Sequence, residues 1–270
     1  MESRTRNVWI IVLLVLVAFC CCAVAALAAG FGWITNWSFD VDQMADWDLA
    51  RVTDQTVQTF EVDASPTLEM DSFAGNITVR AGAEGTIQVT ATRHARRASD
   101  LDEIEADFDE SGDGLSITTR LRRRSLSNTY VEFDIAVPAG TDLALKLGAG
   151  NVVIDDVQGD IEVRNGAGEI DIRGARGVAR VELGAGGIDY EGEPQGECRF
   201  QTGAGAITLR LPGDLNAEID LDTGIGEVDV SGFDVDGQVS RGKAQGTIGR
   251  GGGTSIYAHT AAGSVELRRR

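Results

Sequence analysis

The feature that most restricts this chain is a Gly-Ala-Gly triplet that returns at a near-constant interval. It stands at Gly148-Ala149-Gly150, Gly166-Ala167-Gly168, Gly184-Ala185-Gly186 and Gly203-Ala204-Gly205. Variants are Gly224-Ile225-Gly226 and Ala261-Ala262-Gly263, and an early copy is Phe73-Ala74-Gly75. Apolar residues keep step with it. Five places before each triplet stand Leu68, Leu143, Ile161, Ala179, Cys198, Ile219 and Ile256; three places before stand Met70, Leu145, Val163, Val181, Phe200, Leu221 and Ala258. Four places after stand Ile77, Val152, Ile170, Ile188, Ile207, Val228 and Val265; six after stand Val79, Ile154, Ile172, Tyr190, Leu209, Val230 and Leu267. Mostly polar residues lie between these columns. Alternation with a period of two means strands with one buried face, and glycine suits the tight bend that joins two of them.

The spacing therefore predicts an all-β fold: a single-stranded, right-handed β-solenoid with coils of roughly 18 to 21 residues. The right hand follows from the usual sense of parallel crossovers. Corner glycines Gly75, Gly148, Gly150, Gly166, Gly168, Gly184, Gly186, Gly203, Gly205, Gly224, Gly226 and Gly263 are read as structural. A phosphate cradle is excluded, because no Lys-Ser/Thr pair and no helix follows the triplets. Calcium in a nonapeptide turn needs Asp where Ile170, Ile188, Ile207 and Val228 stand.

Residues 8–29 form an unbroken apolar run of 22 residues behind a short segment, 1–7, that carries Arg4 and Arg6. That length spans a bilayer core as a helix, and the basic flank places the N-terminus in the cytoplasm and the body outside. A cleavable signal peptide is the rival reading, through Ala26-Leu27-Ala28. Residues 30–58 read as a juxtamembrane linker with a short helix over 44–52, and 59–270 as the β domain. Within that domain, 86–137 is a longer-stranded capping insertion with β-prone stretches at 86–92, 114–121 and 129–137. Regular coils fill 142–270, with 233–253 as a degenerate coil and Arg268-Arg269-Arg270 as a solubilising tail.

A formal charge of −18 excludes nucleic acid as a direct partner. Cys198 is the only cysteine outside the apolar run and occupies a buried column, so neither a disulfide nor a nucleophile is expected. His94 and His259 have no third ligand nearby, so no metal is expected, and no cofactor motif or nucleophile elbow appears. The charge runs at His94-Ala95-Arg96-Arg97, 100–113 and 120–124 read as solvated hairpin ends. One catalytic alternative stands: Asp171 and Asp189, stacked one coil apart beside Glu169, as the carboxylate pair of a polysaccharide-active enzyme.

The stretch V-E-F-D-I-A-V-P-A-G (131–140), the coils G-x-G-x-[IV]-x-[ILVY] and the terminal G-T-I-G-R-G-G-G…G-S-V-E-L (246–267) resemble the bacterial putative-adhesin domain of unknown function. The resemblance covers about 59–270. It implies a β-solenoid, no cofactor and no catalytic residues. The expected function is thus a non-enzymatic, membrane-anchored, extracytoplasmic surface-interaction module. Its partner would be a surface glycan or an envelope protein, with self-association open. An envelope-sensing or scaffolding accessory that docks a membrane protein is the alternative.

Overall fold

The computed structural model describes residues 52–111, 114–122 and 128–270. The apolar run 8–29 and most of the linker, 30–51, lie outside the described residues. Among the described residues no helix is long and apolar enough to cross a membrane.

Alternation in the sequence becomes alternation in burial. Strands β2 (Thr67–Ser72), β8 (Asp142–Leu147), β10 (Ile161–Ala167), β12 (Ala179–Ala185) and β14 (Gly196–Ala204) each turn every second side chain inward. They pair in parallel, and the columns read from the sequence meet in register: Leu68 opposite Leu143, Leu143 opposite Ile161, Ile161 opposite Ala179. A second ladder does the same beyond the glycine corners. It runs through β3 (Ile77–Ala81), β9 (Val152–Asp155), β11 (Ile170–Gly177), β13 (Ile188–Pro194) and β15 (Ile207–Leu211). The inward side chains of both ladders form one core, with Tyr190, Phe200, Leu68 and Ile77 among its largest fully buried members.

The expected single-stranded solenoid of consecutive coils is not what forms. The strands belong to one 19-stranded sheet of mixed direction, wrapped around the core like a nearly closed barrel. At one end β1 (Val52–Glu61), β4 (Thr86–Ala95) and β7 (Tyr130–Val137) pair antiparallel, as do β5 (Ile104–Ser111) and β6 (Gly114–Leu121). Strands β6 and β7 then join β2 and β3 in parallel. At the other end β17 (Val235–Val239) and β18 (Lys243–Ile248) make an antiparallel hairpin on β16 (Ala217–Ser231), where a degenerate coil was expected. The order is also not sequential. The final strand, β19 (Thr254–Arg269), lies between β14 and β15 on one side and β16 on the other, parallel to all three. The physical reason is that every row carries the same apolar columns. The pattern fixes which side chains point inward and is indifferent to which row stacks on which.

Three local readings change as well. Strand β1 begins at Val52, inside the stretch read as linker. The acidic run after His94 holds a four-residue helix, α1 (Ala98–Leu101), and strand β5, whose Ile104 is buried. The terminal arginines are docked rather than loose: the Arg270 amide donates to the Leu211 carbonyl at 2.9 Å, and its guanidinium meets Glu193 at 3.0 Å.

Candidate functional site

The corner glycines form two columns. Gly75, Gly150, Gly168, Gly186, Gly205, Gly226 and Gly263 have φ between +121° and +154°, and a Cβ on any of them would lie 1.7–2.0 Å from a carbonyl oxygen of the neighbouring row. Gly148, Gly166, Gly184, Gly203 and Gly224 have ordinary φ, but a Cβ there would still come within 2.3–2.7 Å of the neighbouring row's carbonyl. Rows can therefore approach to hydrogen-bonding distance at the corner only without side chains. The second residue of each triplet from Ala149 onward is exposed, and Ala74 is partly so.

This close approach leaves a hollow. An open trough of about 820 Å³ runs across the corner of the first ladder, past Phe73, Gly148, Gly166, Gly184, Gly203 and Ala261. One wall is a row of polar side chains that face outward in register: Asp71, Lys146, Arg164, Glu182, Gln201, His259. A second depression of about 420 Å³ lies further along the same face, among Glu197, Glu218, Asp220, Gln245 and Tyr257. A third of about 60 Å³ sits between Glu162, Arg164, Arg180, Glu182 and Arg199. All three open on the outer surface of the first ladder.

Ion pairs organise this face unevenly. Arg164 meets Glu162 at 2.8 Å and Glu182 at 3.4 Å; Arg199 meets Glu197 at 3.2 Å and lies 4.7 Å over the Tyr257 ring. His259 Nδ1 stands 3.4 Å from Asp222 but makes no hydrogen bond, so the contact is a loose electrostatic one. Lys146 and Arg180 make no ion pair among the described residues.

Asp171 and Asp189 are directly opposite each other, as the sequence spacing implied, but on the second ladder and outside the three depressions. Each is tied to an arginine, Asp171 to Arg173 and Asp189 to Arg210. Burial raises the Asp171 carboxyl above the usual carboxylate range against the pull of Arg173, and the Asp189 and Asp155 charges add to the rise. Cys198 is buried; burial pushes its thiol up, while amide donation from Ala179 at 3.3 Å opposes that. The Tyr190 hydroxyl is buried without a partner, and burial drives its ionisation far above the ordinary range. His94 stacks on Tyr130 at 4.4 Å and bonds Glu132 at 3.1 Å, so it is a packed residue rather than the tip of a charge run. Among the described residues no group of three or more His, Cys, Asp or Glu could hold a metal ion.

Sequence reasoning missed the trough and two side-chain staples. Asp142 Oδ1 accepts the Asp160 amide at 2.7 Å, and Asp160 Oδ1 accepts the Val178 amide at 3.1 Å. Beside the corner, Asn76 accepts from Asn151, Asn151 from Glu169, and Glu169 from Gly187, each through its side chain. The signal was present, as acid or amide residues recurring one period apart just ahead of the strands.

No family model matches the chain, and no curated protein is significantly similar to it. Several solved structures with related outlines bear the names of adhesins, and one that of a lipid binding protein. A putative cell adhesion protein from Clostridium sporogenes aligns over 81% of this chain and 100% of its own at 16% identity, with a TM-score of 0.49. A putative adhesin from Bacteroides fragilis aligns over 79% and 97% at 13% identity, with a TM-score of 0.42. A putative lipid binding protein from Parabacteroides distasonis aligns over 80% and 97% at 8% identity, with a TM-score of 0.23. At these scores the likeness decides neither the topology nor the ligand.

Proposed function

We propose that this protein is a non-enzymatic surface-interaction module of the adhesin kind. In this reading residues 8–29 tether it to the cell membrane, the β domain faces outward, and an extended glycan lies along the trough. The observation that carries the reading is the open trough of about 820 Å³, which runs across successive rows of the first ladder and is floored by small residues. An open, shallow surface built from many rows suits a long repetitive ligand held by many weak contacts. It does not suit a small molecule, which needs enclosure. The names borne by the similar structures agree with this reading and do not carry it.

The test uses the full chain in nonionic detergent and a panel of linear polysaccharides and solubilised envelope proteins. Ala261→Trp fills the exposed floor of the trough. Binding of a glycan that this substitution abolishes, with thermal unfolding unchanged, is the expected result. Capture of one envelope protein with no glycan bound, or glycan binding indifferent to Ala261→Trp, overturns the proposal.

A further inference from the structure

One end of the sheet closes on a strand whose outer edge has no partner among the described residues. Strand β17 pairs with β18 and with no other strand. The hairpin fixes which of its backbone groups are free. Ser240 N–H donates to the Lys243 carbonyl at 2.7 Å, and alternation along an antiparallel pair turns every second residue away from its partner. The N–H and C=O groups of Val235, Gly237 and Val239 therefore point to the open edge. The Val235 and Val239 side chains share a face with their register partners Ile248 and Ala244, both buried. Val239 nevertheless stays 55% exposed, because no further strand covers it.

Other edges are guarded. Strand β5 carries Glu105, Asp107, Asp109 and Glu110, the far half of β16 carries Glu227 and Asp229, and α1 packs against β1. Charge on an edge is a usual defence against strand addition. Strand β17 carries one charge, Asp236. With Lys243 held by Asp220 at 3.4 Å, residues 232–253 keep Asp234 and Asp236 against Arg241 and Arg250, a local balance in a chain of net charge −18.

We propose that β17 is a self-pairing edge: two copies of this chain join antiparallel about a two-fold axis at Gly237, and the sheet runs from one copy into the other. The proposal stands apart from the glycan reading of the trough. The strand V-D-G-Q-V reads nearly the same in both directions. In this register Val235 lies opposite Val239 of the second copy, and Gly237 lies opposite Gly237. These are the residues with free N–H and C=O groups, so each pair exchanges both backbone bonds. Val239 gains an apolar cross-strand partner. Asp236 falls opposite Gln238, so no like charges meet. The same patch serves both copies, as a two-fold interface requires. A strand of five residues makes a small interface, so the pair dissociates on dilution.

The experiment places Asp236→Cys and Gln238→Cys together in the full chain in nonionic detergent. These facing positions form a non-hydrogen-bonded pair with Cα atoms about 4.5 Å apart, within disulfide range. Oxidation with diamide should link copies through positions 236 and 238, as mapped by mass spectrometry. Either substitution alone should link far less, since each cysteine then lies two positions from its counterpart. Sedimentation equilibrium of the unsubstituted protein should show a monomer–dimer equilibrium. Val239→Lys should weaken it roughly tenfold or more, because the change acts at both ends of the two-fold pair and charges the edge. Val239→Ile should retain it. Val239 is more than half exposed, so thermal unfolding at high dilution should not change with either. A monomer at every concentration, with no 236–238 linkage, overturns the proposal. A dimer that Val239→Lys leaves intact also overturns it, since that dimer is held elsewhere. Equal linkage by the single-cysteine variants overturns the register at Gly237.

Discussion

Gly186→Ala should be among the most damaging single-methyl additions this domain can receive. Gly186 has φ +131°, and a Cβ there would stand 1.8 Å from the Gly168 carbonyl oxygen. The backbone conformation alone costs an L-residue about 1–3 kcal/mol. Relieving the clash means parting rows that are joined by Gly168 N–H to Ala185 O at 3.0 Å and Ile170 N–H to Gly187 O at 3.0 Å. Each such bond contributes about 1 kcal/mol net, so the total loss is about 3–5 kcal/mol. Gly252→Ala is the control. Its φ is +84°, but a Cβ there meets nothing within 4 Å, so only the backbone term remains, about 1–2 kcal/mol. Urea unfolding at constant slope reads both losses as shifts in midpoint. Equal costs for the two substitutions would refute the argument that the corner column is glycine because of row-to-row approach.

Tyr190→Phe should stabilise the protein by about 1 kcal/mol, because it removes a buried hydroxyl that has no partner. It should also flatten the alkaline limb. Burial raises the folded-state pKa of Tyr190, so its contribution is intact below the unfolded value of 10.0 and is lost as pH rises beyond it; melting temperatures of both proteins across pH 8–11 measure this. Asp171→Asn should raise stability slightly at pH 7. The raised Asp171 carboxyl resists ionisation, so the gain should shrink as the pH falls toward the ordinary carboxylate value of 3.8 and be gone below it, and a pH series of urea midpoints checks it.

The inward half of this fold is legible in the sequence because burial and strand period are the same signal. Leu143, Ile161 and Ala179 were placed in one column from spacing alone, and they stack as register partners. The order of the rows is not legible, since Ile256 at the chain's end fits the column beside Cys198 as well as Ile219 does. Antiparallel ends were obscured by charge: Glu105, Asp107 and Asp109 mask a strand whose inward residue is Ile104. Much of the candidate site was present in plain view as Lys146 and Arg164, one period apart. What hid it is that a surface hollow depends on what the glycines omit, and an absent side chain leaves no pattern of its own. The Asp171–Asp189 pair shows the converse, a correct adjacency whose arginine partners could not be read from spacing.

The place of β19 has a consequence for how the protein is made. Synthesis runs from the N-terminus, so β14, β15 and β16 exist before the strand that belongs between them. Until Thr254–Arg269 emerges, the inner edges of those three strands have no partner there. The sheet is completed by insertion at its interior rather than by growth at its rim, and its contacts span long sequence separations, which slows folding. Loss of the last sixteen-residue strand would remove the joint that binds both ladders to β16, not trim an edge. A chain stopped a few dozen residues early is therefore a sheet with a slot, open along both ladders to whatever strand finds it first.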